Sequence, residues 1–129
     1  MLQSGIINPH LLSLIARFRH TNRIVICDWA FPYWPEIETV DLALTAGIPR
    51  VMDVFPLISE SCCIGQIWQA TEFLEHNIPQ TRDTWERTFG KIPVTREPHL
   101  SFKKRVPGSI GIIRTGDDTM YGNLILESA

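Results

Sequence analysis

A chain of 129 residues, 44% hydrophobic and 20% charged, has the make-up of one globular domain with a real core, not of a disordered segment. Its net charge of -2 argues against the strongly basic face that a nucleic-acid partner requires; the one basic cluster, Lys103-Lys104-Arg105, reads as a solvated helix end. No apolar run approaches the roughly 18 residues that span a bilayer. No signal peptide is visible, and Cys27 with the adjacent Cys62 and Cys63 forms no disulfide framework, so the cytoplasm is the expected compartment.

In chain order, Asn8-Pro9 opens a helix, Asn as N-cap and Pro at the first helical position. Leu11, Leu12, Ile15 and Phe18 recur at helical spacing, which predicts a helix from about Pro9 to Arg19. His20 then sits at its end, where a cation is favourably placed on the C-terminal dipole. Ile24–Cys27 is a continuous apolar run, as expected of a strand buried on both faces. Asp28 emerges from that strand at the edge where open α/β sheets bind ligands, although a cap or turn former is the plainer role for it. Phe31-Pro32-Tyr33-Trp34-Pro35 is an aromatic loop bounded by prolines.

Glu38–Leu44 follows as a second strand, with Val40, Leu42 and Leu44 on one side. Gly47-Ile48-Pro49 is a break, and Val51–Ser61 a helix with Val51, Val54, Phe55 and Ile58 on one face and Pro56 as a blemish. Ile64–Thr71 reads as a strand, Pro79–Phe89 as a helix stopped by Gly90, Ile92–Thr95 as a short strand and Pro98–Arg105 as a short helix. Ser109–Arg114 and Met120–Glu127 are strands flanking the turn Thr115-Gly116-Asp117-Asp118. This alternation predicts a single α/β domain, residues 1–129, with a mostly parallel sheet and one antiparallel member.

Glycine-rich phosphate loops, metal-ligand spacings of His and Cys, and a nucleophile elbow are all missing from the sequence. What remains are polar residues at the breaks between elements: His20, Asp28, His99 after Pro98, Arg114-Thr115-Gly116 and Tyr121-Gly122-Asn123. Tyr121 and Asn123 would share one side of the last strand, and Gly122 would mark either a close approach of the backbone or a β-bulge. His20 and Asp28 flank one strand, so a site that uses both needs a second chain or a sharp fold-back.

These residues carry a resemblance. His20-Thr21-x-x-Ile24-Val25-Ile26-x-Asp28, Asp41-Leu42-x-Leu44-x-x-Gly47-Ile48-Pro49, Ile113-Arg114-Thr115-Gly116 and Tyr121-Gly122-Asn123, with Asn8-Pro9-His10-Leu11 near the start, resemble the D-ribose pyranase/L-fucose mutarotase (RbsD/FucU) family over nearly the whole chain. The resemblance implies a three-layer α/β/α fold and a cofactor-independent isomerase that interconverts cyclic forms of a free aldose. It also implies that His20 is the acid/base, that Asp28, His99, Tyr121 and Asn123 bind the sugar with Arg114 beside them, and that protomers assemble into a homo-oligomer such as a ring of ten, with sites near protomer contacts. A monosaccharide is the expected partner, with no nucleic acid and no membrane.

The chemistry suits these residue types. Ring opening removes a proton from the anomeric hydroxyl and delivers one to the ring oxygen; the aldehyde then recloses through another hydroxyl or on its other face. A histidine that titrates near neutrality serves both transfers. Two positions depart from the family pattern: Trp29 stands where relatives carry a small residue, and Arg19 where they carry glycine. Phe31-Pro32 and Tyr121-Gly122-Asn123 lean towards fucose, whereas His99 with Phe102-Lys103 and the chain length lean towards ribose, the preferred expectation. The competing expectation is a non-catalytic sugar-binding accessory protein of an uptake system, which Trp29 filling the pocket would favour.

Overall fold

The computed structural model describes residues 1–129. Asn8 accepts the Leu11 N–H at 2.9 Å and opens helix α1, Pro9–Ala16. The helix stops three residues before the predicted Arg19. Arg19–Asn22 forms a separate turn, in which the Asn22 side chain accepts the Arg19 N–H at 2.9 Å and Thr21 takes a φ of 64°. His20 is therefore a turn residue, not a cation on a helix end.

The remaining elements are β1 (Arg23–Cys27), β2 (Thr39–Asp41), α2 (Val51–Ser61), β3 (Ile64–Ala70), α3 (Glu72–His76), α4 (Pro79–Phe89), β4 (Val94–Glu97), α5 (His99–Arg105), β5 (Gly111–Arg114) and β6 (Leu124–Ser128). α2 and α4 match their predicted spans. β2 is shorter than the predicted Glu38–Leu44 because the Asp41 carboxylate accepts the Ala43 N–H at 3.0 Å and turns the chain, which leaves Leu44 exposed. β4 lies two residues later than predicted, and α3 has no counterpart in the sequence reading.

The six strands form one sheet in the order β2-β5-β1-β6-β3-β4. Pairings β1–β5, β2–β5 and β3–β4 are parallel, while β6 runs antiparallel to both β1 and β3. Five strands thus point one way and β6 alone runs back, as the sequence pattern suggested. Successive residues of β1 face opposite layers. Ile24 and Ile26 join the larger core with residues of α1, α2 and α4, whereas Val25 and Cys27 join a smaller one with Phe102 of α5 and Val106. All four are essentially buried, and each buried aliphatic side chain contributes about 1.5–3 kcal/mol. With helices on both faces the architecture is α/β/α. No helix is long and apolar enough to cross a membrane.

Candidate active site

Because five strands are parallel, their carboxyl ends open on one edge of the sheet. β1 delivers Asp28 there, β2 Asp41, β3 the segment into Glu72, β4 the Pro98-His99 corner and β5 Arg114-Thr115. β6 runs back from the same edge, so Asn123, just before it, arrives beside Asp28. The topology gathers residues scattered over nearly a hundred positions.

Asp28 and Asn123 hold each other reciprocally. The Asp28 N–H donates to Asn123 Oδ1 at 2.8 Å, and Asn123 Nδ2 donates to Asp28 Oδ2 at 3.2 Å. The Ala30 N–H donates to Asp28 Oδ1 at 3.1 Å. Both side chains are buried. Desolvation pushes the Asp28 carboxyl above its usual range; the Asn123 amide and the Ala30 and Phe31 N–H groups oppose that rise, and the charge of Asp117 adds to it.

His99 is the first residue of α5, and its N–H donates to the Glu72 carboxylate at 2.9 and 3.2 Å. Its ring lies parallel to Phe102 at 6.1 Å between centroids and edge-on to Tyr121 at 5.2 Å. Burial is the largest cause lowering its pKa; Lys103 lowers it further, while Glu72 and Asp28 act in the opposite sense. Nδ1 is buried with no partner in the chain, so the neutral ring is the comfortable form.

Tyr121 and Asn123 do not share a strand face, as the sequence had suggested. The strand begins only at Leu124, and Tyr121 adopts a φ of 53° in the turn before it. The Asn123 N–H donates to the Tyr121 carbonyl at 2.9 Å, and the Gly122 N–H to the Thr119 carbonyl at 3.0 Å. A Cβ at Gly122 would press on that carbonyl at 2.9 Å and on the Trp85 ring at 3.3 Å, so the glycine serves a close backbone turn and not a bulge.

Asp28, His99, Tyr121 and Asn123 line one open cavity of about 330 Å³, small among ligand pockets. Trp29, half exposed, contributes an indole to its wall beside Phe31, Pro32 and Met120. Arg114 stands outside this cavity. Its guanidinium bonds Asp41 at 3.1 Å and donates to the Trp29 carbonyl, beside a second depression of about 300 Å³ that includes Cys27 and Tyr33. It reaches the site only by holding the backbone of Trp29. His20 lies off the other end of β1, where the adjacent Thr21 N–H meets the Ser128 carbonyl at 3.1 Å, and is not among the cavity residues. Within one chain, then, the fold assembles Asp28, His99, Tyr121 and Asn123, leaves Arg114 adjacent and leaves His20 apart.

Two residues of this edge escaped the sequence reading. Glu72, at the start of the unpredicted α3, holds the backbone of His99. Asp117, read as a turn residue, is 1% exposed and bonded to three segments of chain. The only signal for either was an acidic residue placed just after a strand.

A sequence profile described as the RbsD / FucU transport protein family matches residues 1–129. The chain belongs to this family. A D-ribose pyranase of Laribacter hongkongensis is 35% identical over 128 residues, an alignment covering 99% of this chain and 97% of that one. One from Kosmotoga olearia is 36% identical over 129 residues, with the same coverage. The structure of Bacillus subtilis RbsD complexed with D-ribose superposes with a TM-score of 0.92 at 29% identity, covering 100% of this chain and 98% of that one. The fold is also that of the fucose mutarotase of Streptococcus pneumoniae in complex with L-fucose, with a TM-score of 0.80 at 19% identity over 95% of this chain and 93% of that one.

Proposed function

We propose that this RbsD/FucU-family chain is an isomerase that opens and recloses the ring of a free aldose, D-ribose ahead of L-fucose, in a cytoplasmic homo-oligomer. The observation that carries this reading is the convergence of the Asp28–Asn123 pair, His99 and Tyr121 on one small cavity whose lining includes no lysine or arginine. Hydroxyl, amide, imidazole and carboxylate groups match the alternating donors and acceptors of a sugar. With Asp28 and Asp118 as the acidic lining residues and no cation beside them in the lining, the cavity offers a phosphorylated sugar no counter-charge. The names of the pyranase relatives and the ribose-bound neighbour point to the same substrate class.

In this reading Asp28 and Asn123 fix the sugar hydroxyls, Tyr121 supplies a further hydroxyl contact, and neutral His99 accepts or donates a hydrogen bond across the ring. Arg114 holds the Trp29 backbone against the site. His20 of a neighbouring protomer moves the proton between the anomeric hydroxyl and the ring oxygen, a contribution of about 10²–10⁴ in rate. A second reading gives that proton transfer to His99, which lines the cavity of its own chain as His20 does not.

Exchange NMR on D-ribose and L-fucose tests both. The protein should accelerate interconversion of the cyclic forms, and His20→Ala should lower the rate by about two to four orders of magnitude with assembly intact, whereas His99→Ala should chiefly weaken sugar binding. If His99→Ala abolishes exchange and His20→Ala leaves it unchanged, the proton belongs to His99. Sugar binding without any acceleration would point to an accessory protein instead of an enzyme.

A further inference from the structure

Asp117 is 1% exposed, yet it is not spent on one partner. Its Oδ2 accepts the N–H of Val51, the first residue of α2, at 2.8 Å. Its Oδ1 accepts the Thr119 N–H at 2.8 Å, and the half-exposed Arg50 guanidinium stands 3.7 Å away. Its own N–H donates to Thr115 Oγ1 at 3.1 Å, and that hydroxyl donates to the Cys27 carbonyl at 2.8 Å, immediately before Asp28. Its carbonyl accepts the Trp29 N–H at 3.0 Å. The carboxylate's hydrogen-bond partners are both backbone N–H groups, so each oxygen is held as an acceptor.

These contacts run into both walls of the sugar cavity. One wall is the Asp28–Pro32 loop, anchored through Cys27 and Trp29. The other is the 118–123 turn, anchored through Thr119, whose carbonyl in turn accepts the Gly122 N–H and so sets the left-handed Tyr121. α2, with its buried Val51, Val54, Phe55 and Ile58, is the rigid body to which both are tied.

We propose that Asp117 is a positioning residue of the sugar site, clamping the Asp28 loop and the Tyr121–Asn123 turn to the start of α2 and setting the distance between them. This rests on the cavity being the sugar site. The carboxylate itself bonds Val51 and Thr119, while the backbone N–H and carbonyl of the same residue bond Thr115 and Trp29; a carboxylate that only capped α2 would need no bond to Thr119. Its negative charge also reaches Asp28, where it opposes ionisation. The clamp therefore influences both the geometry and the protonation of the group that meets the sugar.

Asp117→Asn is the direct test, with Asp53→Asn as control. Asp53 accepts the Arg50 N–H at 2.7 Å at the same end of α2 but is exposed and touches neither wall, so its loss weakens the helix start alone. Asp117→Asn should lower kcat/KM for sugar interconversion by roughly a hundredfold, as a misplacement of about 1 Å does. It should also move any pH dependence due to Asp28 to lower pH, while Asp53→Asn keeps wild-type kinetics and pH profile. Equal kinetic behaviour of the two variants, differing from wild type only in melting temperature, overturns the proposal.

Should Asp117→Asn fail to fold, Thr119→Pro severs the turn from the clamp in a half-buried position and leaves the Val51 bond in place. The clamp predicts a raised KM with little change in melting temperature; wild-type KM in that variant overturns it. The two failures are separable. If the wild-type protein neither binds nor interconverts the sugars, the reading of the site falls; if it does and both variants behave as wild type, only the clamp falls.

Discussion

Single residues at this sheet edge are governed by desolvation. Cys27, 1% exposed, has its thiol pushed far above its usual range first by burial and then by Asp28, so it is packing and not a nucleophile. Asp28 is raised in the same direction by burial, and its sign can be worked through. A carboxyl whose folded pKa lies above its unfolded value stabilises the fold fully below the unfolded value, near 3.8, and loses that contribution as pH rises through the folded value. Above that folded value the chain carries a desolvated charge. Asp28→Asn should therefore remove this pH dependence, and the melting temperature of the variant relative to wild type should climb as pH rises above 3.8; a difference that stays flat across that range would refute the assignment. Trp29 belongs to the same scale. Its backbone is held by the Asp117 carbonyl on one side and Arg114 on the other, and the half-exposed indole has no aromatic partner. Ribose or fucose should change its fluorescence, and Trp29→Ala should alter the preference between the two sugars more than it alters melting temperature. Unchanged emission at saturating sugar would place the indole outside the bound ligand.

Elements were legible where one face is apolar and the ends carry strong signals. Asn8-Pro9 and Gly90 marked two real helix ends, and the run Ile24–Cys27 identified the central strand β1. Boundaries failed where a side chain bonds its own backbone. Asp41 turns β2 early, and Asn22 closes the turn that separates His20 from α1, contacts that hydrophobic periodicity does not register. α3, five residues long, has only Phe73 buried, too little pattern to see. Of the site, Asp28, His99, Tyr121 and Asn123 were recoverable because each sits at an element break, and the family resemblance supplied their roles. Glu72 and Asp117 were not, because their partners are distant in sequence. Gly116 lies at such a junction: a Cβ there would collide with the carbonyls of Thr45 and Ile48, the latter at 2.5 Å, where the 45–49 turn docks on the end of β5. Gly116→Ala should thus cost about 1–3 kcal/mol by overpacking. That corresponds to a loss of melting temperature on the order of 5–10 °C. Gly108→Ala, with nothing within 4 Å of its Cβ, should be nearly neutral. Thermal unfolding of the two variants side by side checks the contrast.

At the scale of the whole molecule, the decisive fact is the direction of β1. Arg23–Cys27 is five residues, so at 3.3 Å per residue the strand alone puts about 13 Å between its ends, with His20 beyond one end and Asp28 beyond the other. A hydrogen bond needs about 3 Å. The turn at Arg19–Asn22 does not fold His20 back over the sheet; it pins the neighbouring Thr21 to Ser128 at the far edge. If His20 acts on a sugar held by Asp28 and Asn123, it must do so in another protomer, and a monomer is then inactive. Complementation follows from that geometry. His20→Ala subunits keep an intact Asp28–Tyr121–Asn123 cavity, while Asn123→Ala subunits keep an intact His20. Neither assembly is active alone. Mixed in equal amounts and reassembled, about one site in four would join an intact His20 to an intact Asn123. Exchange NMR on the mixture should recover about that share of wild-type activity, and sedimentation should show it in the oligomer. Tyr121→Ala, at a half-buried position, serves in place of Asn123→Ala if the loss of the buried amide prevents folding. Mixed oligomers that form yet stay as inactive as their parents would mean that both groups serve one chain, and the proton transfer would then fall to His99.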